Sequence, residues 1–240
     1  MNQHDQTEVD RLKDEMRRLI YLFSHDMRNP LVNMKALLNE VRLTFESVKR
    51  GDLDLIEQEL PDTMQMLDQS VARMSAMIDG ANEIYHCMFD ALECEEVNLK
   101  PLVERVAHRF VDIERVDLQI KEMPSIWADP LAVTRIVEEL LKNSLQAIDG
   151  KGIISVAVNQ QGNFDELIVS DSGKGTTQDG LERLFEPFYS GSDQPKSAPG
   201  MGLAVVKALI EAHGGAARCE SKSGEGTVLY VSFPHRECRA

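Results

Sequence analysis

The chain has 240 residues, 42% of them hydrophobic, which is enough to build one large or two modest domains with buried cores. Its formal net charge of -14 at pH 7 argues against a surface that binds nucleic acid or anionic lipid. No apolar run approaches the roughly 20 residues of a membrane-spanning helix, and no basic-then-apolar leader opens the chain. We therefore expect a cytoplasmic protein without a membrane span.

The cysteines and most histidines lack the close, paired spacing of metal ligands. We predict free thiols in a reducing cytoplasm for the four cysteines, which are Cys87, Cys94, Cys219 and Cys238. The histidines other than His25 are interpreted as surface or core residues.

The first predicted element is a long helix over Val9–Arg50, whose apolar residues recur three or four positions apart. His25 lies two residues from both Phe23 and Met27, which is about 200° of helical rotation away from that stripe. Its ring is therefore expected to face solvent, next to the carboxylate of Asp26. An exposed imidazole beside a carboxylate can act as a nucleophile.

A second periodic run from Leu60 to Leu92 follows a break at residues 51–52, and together the two runs predict an antiparallel helical hairpin. Pro61 either begins the second helix or bends its first turns, while Pro30 predicts a bend close to His25. A lone hairpin cannot cover its own apolar faces. We therefore predict that residues 1–95 form a four-helix bundle in a homodimer.

Residues 96–240 show a mixed pattern and are predicted to form a second domain, so the fold class of the whole chain is α+β. We expect an α/β sandwich in which helices cover an antiparallel-leaning sheet. Helices are predicted over Leu99–Phe110, Pro130–Ile148 and Met201–His213. Strands are predicted over Val116–Ile120, Ile153–Asn159, Glu166–Ser170, Ala216–Glu220 and Thr227–Phe233. The segment Tyr189–Pro199 has the composition of a mobile loop and could serve as a lid.

Glu139 and Asn143 are the first candidate site residues of this second domain. They are four residues apart on a predicted helix, so their oxygens project from one face, where they could hold a hydrated Mg²⁺ beside phosphates. The alternative is an ordinary solvated helix face.

Two glycine-containing motifs follow. In the turn from Asp171 to Gly175 (DSGKG), a carboxylate at a strand end could accept a hydrogen bond from an exocyclic amine such as that of adenine. The segment from Gly200 to Leu203 (GMGL) opens a helix whose free N–H groups favour an anion. Each motif alone is also compatible with a tight turn or an ordinary helix start.

These motifs, together with the segment LFEPF at residues 184–188, follow one another in the order found in sensor histidine kinases of two-component systems. The chain resembles that family over residues 10–235. The resemblance implies a dimerisation and histidine-phosphotransfer hairpin in residues 1–95, followed by a catalytic ATP-binding domain of the Bergerat type in residues 96–240. It implies a protein-histidine kinase that uses ATP and Mg²⁺ to phosphorylate His25. The phosphoryl group would then pass to an aspartate of a response-regulator receiver domain.

The family's residues carry over by position. His25 matches the phosphoacceptor and Asp26 the acidic neighbour that orients its ring. Asn29 matches the residue that positions a water to hydrolyse the regulator's acyl phosphate, so phosphatase activity is a further hypothesis. Asn143 matches the Mg²⁺-binding asparagine and Glu139 a second polar residue of the same box. The remaining positions assigned to nucleotide binding are Lys142, Asp171, Gly173, Gly175, Phe188, Gly200, Gly202 and Leu203.

Some positions depart from the family pattern. Ala198 stands at a usual glycine, the lid is short, and Gln146 replaces a lysine near the phosphates, whose charge Lys142 or Lys174 could supply. Two other functions remain open at this point. One is a phosphorelay adaptor or phosphatase with a degenerate ATP site, and the other is a conformational ATPase of the gyrase or chaperone kind. The sequence does not indicate the signal, the regulator, or whether phosphorylation occurs in cis or in trans.

Overall fold

The computed structural model describes residues 3–48, 54–89, 91–111, 114–189 and 200–235. It divides into two compact units, Met1–Ala81 with Pro195–Met201, and Asn82–Gln194 with Gly202–Ala240. The domain boundary at residue 95 stays a prediction.

The first unit contains the long helix α1 (Gln3–Val48) and most of the long helix α2 (Asp54–Phe89), whose last eight residues belong to the second unit. They are consistent with the predicted hairpin. Helix α2 begins before Pro61, so this proline lies within its early turns and does not start it. Pro30 lies inside α1, and the bend predicted there stays a prediction. No helix in the described part of the chain is both long and apolar enough to cross a membrane.

The second unit is an α+β sandwich around a five-stranded mixed sheet. The strands lie in the order β2 (Val116–Ile120), β4 (Gly152–Gln161), β5 (Phe164–Asp171), β7 (Gly226–Pro234) and β6 (Ala216–Lys222). The pair β2 and β4 is parallel, and the other neighbours are antiparallel. Two short strands that were not predicted, β1 (Glu95–Asn98) and β3 (Ser125–Ala128), form a separate antiparallel ribbon.

Helices α3 (Leu99–Phe110), α4 (Pro130–Ala147) and α6 (Gly202–Ala212) supply the apolar layer over this sheet. A further short helix, α5 (Gln178–Arg183), was not predicted. Helix α4 begins where the sequence indicates, because Asp129 accepts the backbone N–H groups of Leu131 and Ala132 and Pro130 occupies the first turn. The helix and strand pattern predicted for residues 96–240 is therefore confirmed, apart from the three short elements.

As predicted, Cys87 and Cys219 form no disulfide, but the prediction of a free thiol is wrong for Cys94, which is disulfide-bonded. Cys238 lies outside the described residues. Sequence spacing misled here because disulfide pairing depends on which residues the fold brings together. Cysteine usage therefore no longer supports a reducing compartment.

Candidate nucleotide-binding site

The carboxyl group of Asp171 lies at the end of strand β5 and is only 5% exposed. Its Oδ1 accepts the backbone N–H of Gly173 at 2.8 Å. Its Oδ2 is buried and has no hydrogen-bond partner among the described residues. Burial raises the pKa of Asp171, and the backbone N–H groups of Gly173 and Thr227 offset part of that effect. The site thus contains a buried acceptor that lacks a donor.

A second buried polar atom, Oγ of Ser144 on α4, belongs to the same site. Ser144 is completely buried, and its hydroxyl forms no hydrogen bond of normal geometry within the described chain, although it lies close enough to Asp171 to lower the pKa of that carboxyl group. Leaving such groups unsatisfied costs about 1–3 kcal/mol each. A polar ligand or an ordered water that bonds to both atoms would remove this cost.

Ser144 was not predicted as a site residue. A signal for it was present, because Ser144 continues the apolar stripe of α4 through Ile136, Val137, Leu140 and Leu141. A polar residue in a buried stripe needs a partner, and the polar group that Ser144 approaches, the carboxyl of Asp171, lies on strand β5.

The DSGKG turn is fixed on two sides. The N–H of Lys174 donates to the carbonyl of Ala147 at the end of α4, at 2.9 Å, and the carbonyl of Lys174 accepts the N–H of Gly224 at 2.7 Å. Gly175 has a φ of 62°, and a Cβ there would lie 2.1 Å from the carbonyl oxygen of Lys222. The turn therefore requires glycine and holds Asp171 in place between α4 and the turn that joins β6 to β7.

Glu139 lies on α4 with a side chain that is only 13% exposed. Its Oε1 pairs with Nη1 of Arg135 at 2.7 Å and with Nζ of Lys142 at 3.0 Å. A Cβ at Gly202, the first residue of α6, would lie 2.2 Å from Oε2 of Glu139, so this glycine allows the carboxylate to approach the helix start. Arg135 was not predicted either, although its spacing of four residues from Glu139 is the usual signal of a helical ion pair.

Lys142 is ion-paired within α4, and its predicted contact with the nucleotide stays a prediction. Its ammonium group pairs with Glu139 and lies 5.1 Å from the centre of the Phe110 ring. Asn143, the next residue, is half-buried on the same helix.

The donor set fits Mg²⁺ only in part. No group of three or more His, Cys, Asp or Glu side chains that could hold a metal exists among the described residues. Mg²⁺ commonly takes one or two protein ligands and completes its shell with water and substrate phosphates, which suits the amide oxygen of Asn143. As a metal ligand, Glu139 would have to exchange its bonds to Arg135 and Lys142.

The other predicted nucleotide contacts lie before and within the start of α6. Phe188 is buried and adopts a φ of 66°, a rare conformation for a bulky residue. Gly200 has a φ of 68°, and Leu203 is buried in the first turn of α6. The predicted lid, with Ala198, falls almost entirely outside the described residues.

On helix α1, the predicted solvent-facing orientation of His25 is confirmed. Its ring is exposed and stacks with that of Tyr21, with 6.4 Å between the ring centres. Asn29, one turn further along, is also exposed. The side chain of Asp26 lies outside the described residues, so its contact with the imidazole stays a prediction.

Residues 128–237 match the family of histidine kinase-, DNA gyrase B- and HSP90-like ATPases. This stretch contains every candidate nucleotide-site residue described above except Phe110. The fold of this unit is thus that of a Bergerat-type ATPase domain.

The similarity extends beyond that domain. The chain is 30% identical to the alginate biosynthesis sensor protein KinB of Pseudomonas aeruginosa over 222 residues, which is 88% of this chain and 36% of KinB. It is 28% identical to the sensor histidine kinase ZraS of Escherichia coli (strain K12) over 239 residues, 93% of this chain and 48% of ZraS. The structure of the mycobacterial sensor histidine kinase MprB matches with a TM-score of 0.53 and 26% identity, over 60% of this chain and 98% of that one.

The resemblance to sensor histidine kinases with a Bergerat-type ATPase domain is therefore confirmed. The chain spans less than half the length of these two curated relatives.

Proposed function

We propose that the chain is an ATP-dependent protein-histidine kinase that phosphorylates His25 and passes the phosphoryl group to an aspartate of a response-regulator receiver domain. The observation that carries this proposal is the buried, unpartnered Oδ2 of Asp171 beside the unpartnered hydroxyl of Ser144. Together they offer an acceptor for an exocyclic amine and a polar atom for a ring nitrogen or a bridging water. That combination suits adenine.

In this proposal the chain's residues mainly bind, position and neutralise charge, which is most of what phosphoryl transfer requires. The backbone N–H groups at the start of α6 would donate hydrogen bonds to phosphate oxygens of ATP. Because Gly202 has no side chain, the carboxylate of Glu139 fits beside this helix start. Arg135 and Lys142 keep the Glu139 carboxylate neutralised in this region. Asn143 would hold Mg²⁺, which when bound offsets the charge of the phosphates.

His25 would be the nucleophile. A nitrogen of the neutral imidazole attacks the γ-phosphorus, the bond to the β-γ bridging oxygen breaks, and ADP leaves. Asp26 would keep the other ring nitrogen protonated and so fix the tautomer. The exposure of His25 supports access for both ATP and a receiver domain.

A homodimer is part of the proposal. Several members of the predicted apolar stripes are exposed in the single chain, namely Leu31, Leu38, Phe45, Val71, Ile78 and Tyr85. Residues of this kind are normally covered in a helical bundle, and a second copy of the same hairpin would cover them.

Asn29 supports a second activity, a phosphatase acting on the phosphorylated regulator. It is exposed one helical turn from His25, where an amide can orient a water toward an acyl phosphate docked on the same face. Asn29→Ala should then remove dephosphorylation of a receiver while the labelling of His25 continues.

Phosphotransfer profiling tests the main proposal. The protein is incubated with γ-labelled ATP and Mg²⁺ and then mixed with separate receiver domains. We expect acid-labile label on the chain, followed by rapid transfer to one preferred receiver. Binding of ATP without labelling would favour the conformational ATPase. Absence of both binding and labelling would favour the adaptor with a degenerate ATP site.

A further inference from the structure

A cavity lies at the other end of the sheet from the nucleotide site. It has a volume of about 370 Å³, within the lower range of small-ligand pockets. It is bounded by the β1–β3 ribbon and by the far ends of β4, β5 and β7, and its polar and aromatic lining consists of Glu96, Ser125, Trp127, Gln160, Asp165 and His235.

This cavity is separate from the site around Asp171. Asp165 and Asp171 lie at opposite ends of β5 and, being six residues apart, point to the same face of the sheet. At about 3.3 Å per residue they are roughly 20 Å apart along the strand. A ligand bound near Asp165 would therefore leave the nucleotide site free.

The inner wall of the cavity carries a buried carboxylate. Asp165 is only 6% exposed, and its Oδ1 accepts a hydrogen bond from Nε2 of Gln160 at 3.1 Å. Nε2 of His235 lies 3.2 Å from its Oδ2, and the backbone N–H of His235 donates to the carbonyl of Asn163, which fixes that residue at the rim. Each carboxylate oxygen can accept more than one hydrogen bond, so Asp165 retains capacity for a further donor.

The outer wall combines an aromatic ring with a second carboxylate. Glu96 and Trp127 are register partners across the β1–β3 ribbon, so their side chains are neighbours on one face. Trp127 is 42% exposed and Glu96 is exposed as well. An indole face beside a carboxylate attracts cations through both the ring and the charge.

Charge and shape together select the kind of ligand. The cavity lining, all of it within the described chain, contains two carboxylates and no lysine or arginine. A guanidinium group is flat enough to stack on an indole, and it presents several N–H donors to carboxylates on either side. We propose that this cavity binds a small organic cation with a guanidinium group. The proposal does not depend on the kinase function.

Trp127 is the only tryptophan of the chain, so intrinsic fluorescence reports directly on the cavity. The full chain is titrated with Nα-acetylarginine amide and, in parallel, with the matching citrulline amide, which has nearly the same shape but no charge. We expect a saturable change in Trp127 fluorescence with the arginine compound and none with the citrulline compound.

Two substitutions test the carboxylates. Asp165→Asn and Glu96→Gln should each weaken binding of the arginine compound by at least about tenfold, the usual loss for a charge-assisted hydrogen bond. Glu104→Gln, which changes an exposed carboxylate on α3, is the matched control and should leave binding unchanged. Because Asp165 is buried, circular dichroism must show that its variant folds, and the exposed Glu96 provides the test if it does not.

Three results would overturn the proposal. The first is no saturable change up to about 50 mM, well above a millimolar dissociation constant. The second is an equal response to the citrulline compound. The third is unchanged affinity in every folded variant of the two carboxylates.

Discussion

Asp171→Asn is expected to separate ATP binding from stability. The substitution preserves the shape of the side chain, and the amide oxygen can still accept the N–H of Gly173. The amide N–H₂ would then occupy the position of Oδ2, which is buried and has no partner in the described residues. A donor would therefore face the adenine amine, where the wild-type chain offers an acceptor.

The expected loss follows from this exchange. A hydrogen bond to a charged acceptor contributes about 1.5–3 kcal/mol, and it is replaced by two opposed donors. We expect the dissociation constant for ATP to rise by at least roughly 30- to 150-fold, which corresponds to about 2–3 kcal/mol.

The same substitution is expected to weaken ATP binding but not to lower the stability of the fold. Burial raises the pKa of Asp171 above its unfolded value of 3.8, so the folded chain holds this proton more tightly than the unfolded chain does. The contribution of Asp171 to the free energy of unfolding is fully present below pH 3.8 and is lost as the pH rises through the pKa of the folded state. Above that pH the ionised carboxylate destabilises the fold, and Asp171→Asn removes the penalty. We therefore expect the variant, without nucleotide, to be at least as stable as the wild type at pH 8.

Isothermal titration calorimetry with ATP and Mg²⁺ measures the first effect, and urea unfolding at pH 8 measures the second. Asp117→Asn, a change at an exposed position on β2, is the matched control and should alter neither. ATP affinity within about threefold of the wild type, a difference of only about 0.7 kcal/mol, would refute the assignment of Asp171.

Three further predictions concern the same unit. Gly175→Ala should lower the free energy of unfolding by about 1–3 kcal/mol or more. Gly162 has a similar φ of 58° but open space around it, so Gly162→Ala should lower the free energy of unfolding by less. Equal losses for the two variants in urea unfolding would contradict the steric argument. Burial lowers the pKa of His213 below 6.5, so the fold favours the neutral imidazole. The contribution of this residue to the free energy of unfolding should therefore be fully present above pH 6.5 and decrease as the pH falls below it. This decrease should be smaller in His213→Gln. Burial also raises the pKa of Cys219 to about 12, so its thiol should resist iodoacetamide at about pH 8 until urea unfolds the chain, as followed by mass spectrometry.

Long periodic elements could be predicted because their signals are local. Helix α4 shows this best, since the cap at Asp129, the proline after it and a regular apolar stripe agree on where it begins and which face is buried. The short strands β1 and β3 have four residues each and pair across about thirty residues of sequence. Neither strand is long enough to show the alternation of apolar and polar residues by which a strand is recognised in a sequence.

The same distinction applies to the site. The position of Asp171 at a strand end and the glycine at Gly175 follow from a contiguous motif, and both were predicted. Ser144 and Thr227 reach the carboxyl group from α4 and β7, so their part depends on sheet register and helix packing. The ion pair of Lys142 with Glu139 lies within α4 and follows from their spacing, whereas the contact of Lys142 with the ring of Phe110 depends on how α3 packs against α4.

The most direct test of the proposed kinase locates the labelled residue. The full chain is incubated with γ-labelled ATP and Mg²⁺, and acid-labile label is compared between the wild type, His25→Gln and the control His108→Gln, which changes another exposed helical histidine. The proposal predicts label on the wild type and on the His108 variant, and none on the His25 variant, which should still bind ATP. Acid-stable label, or label that persists in His25→Gln, would contradict it.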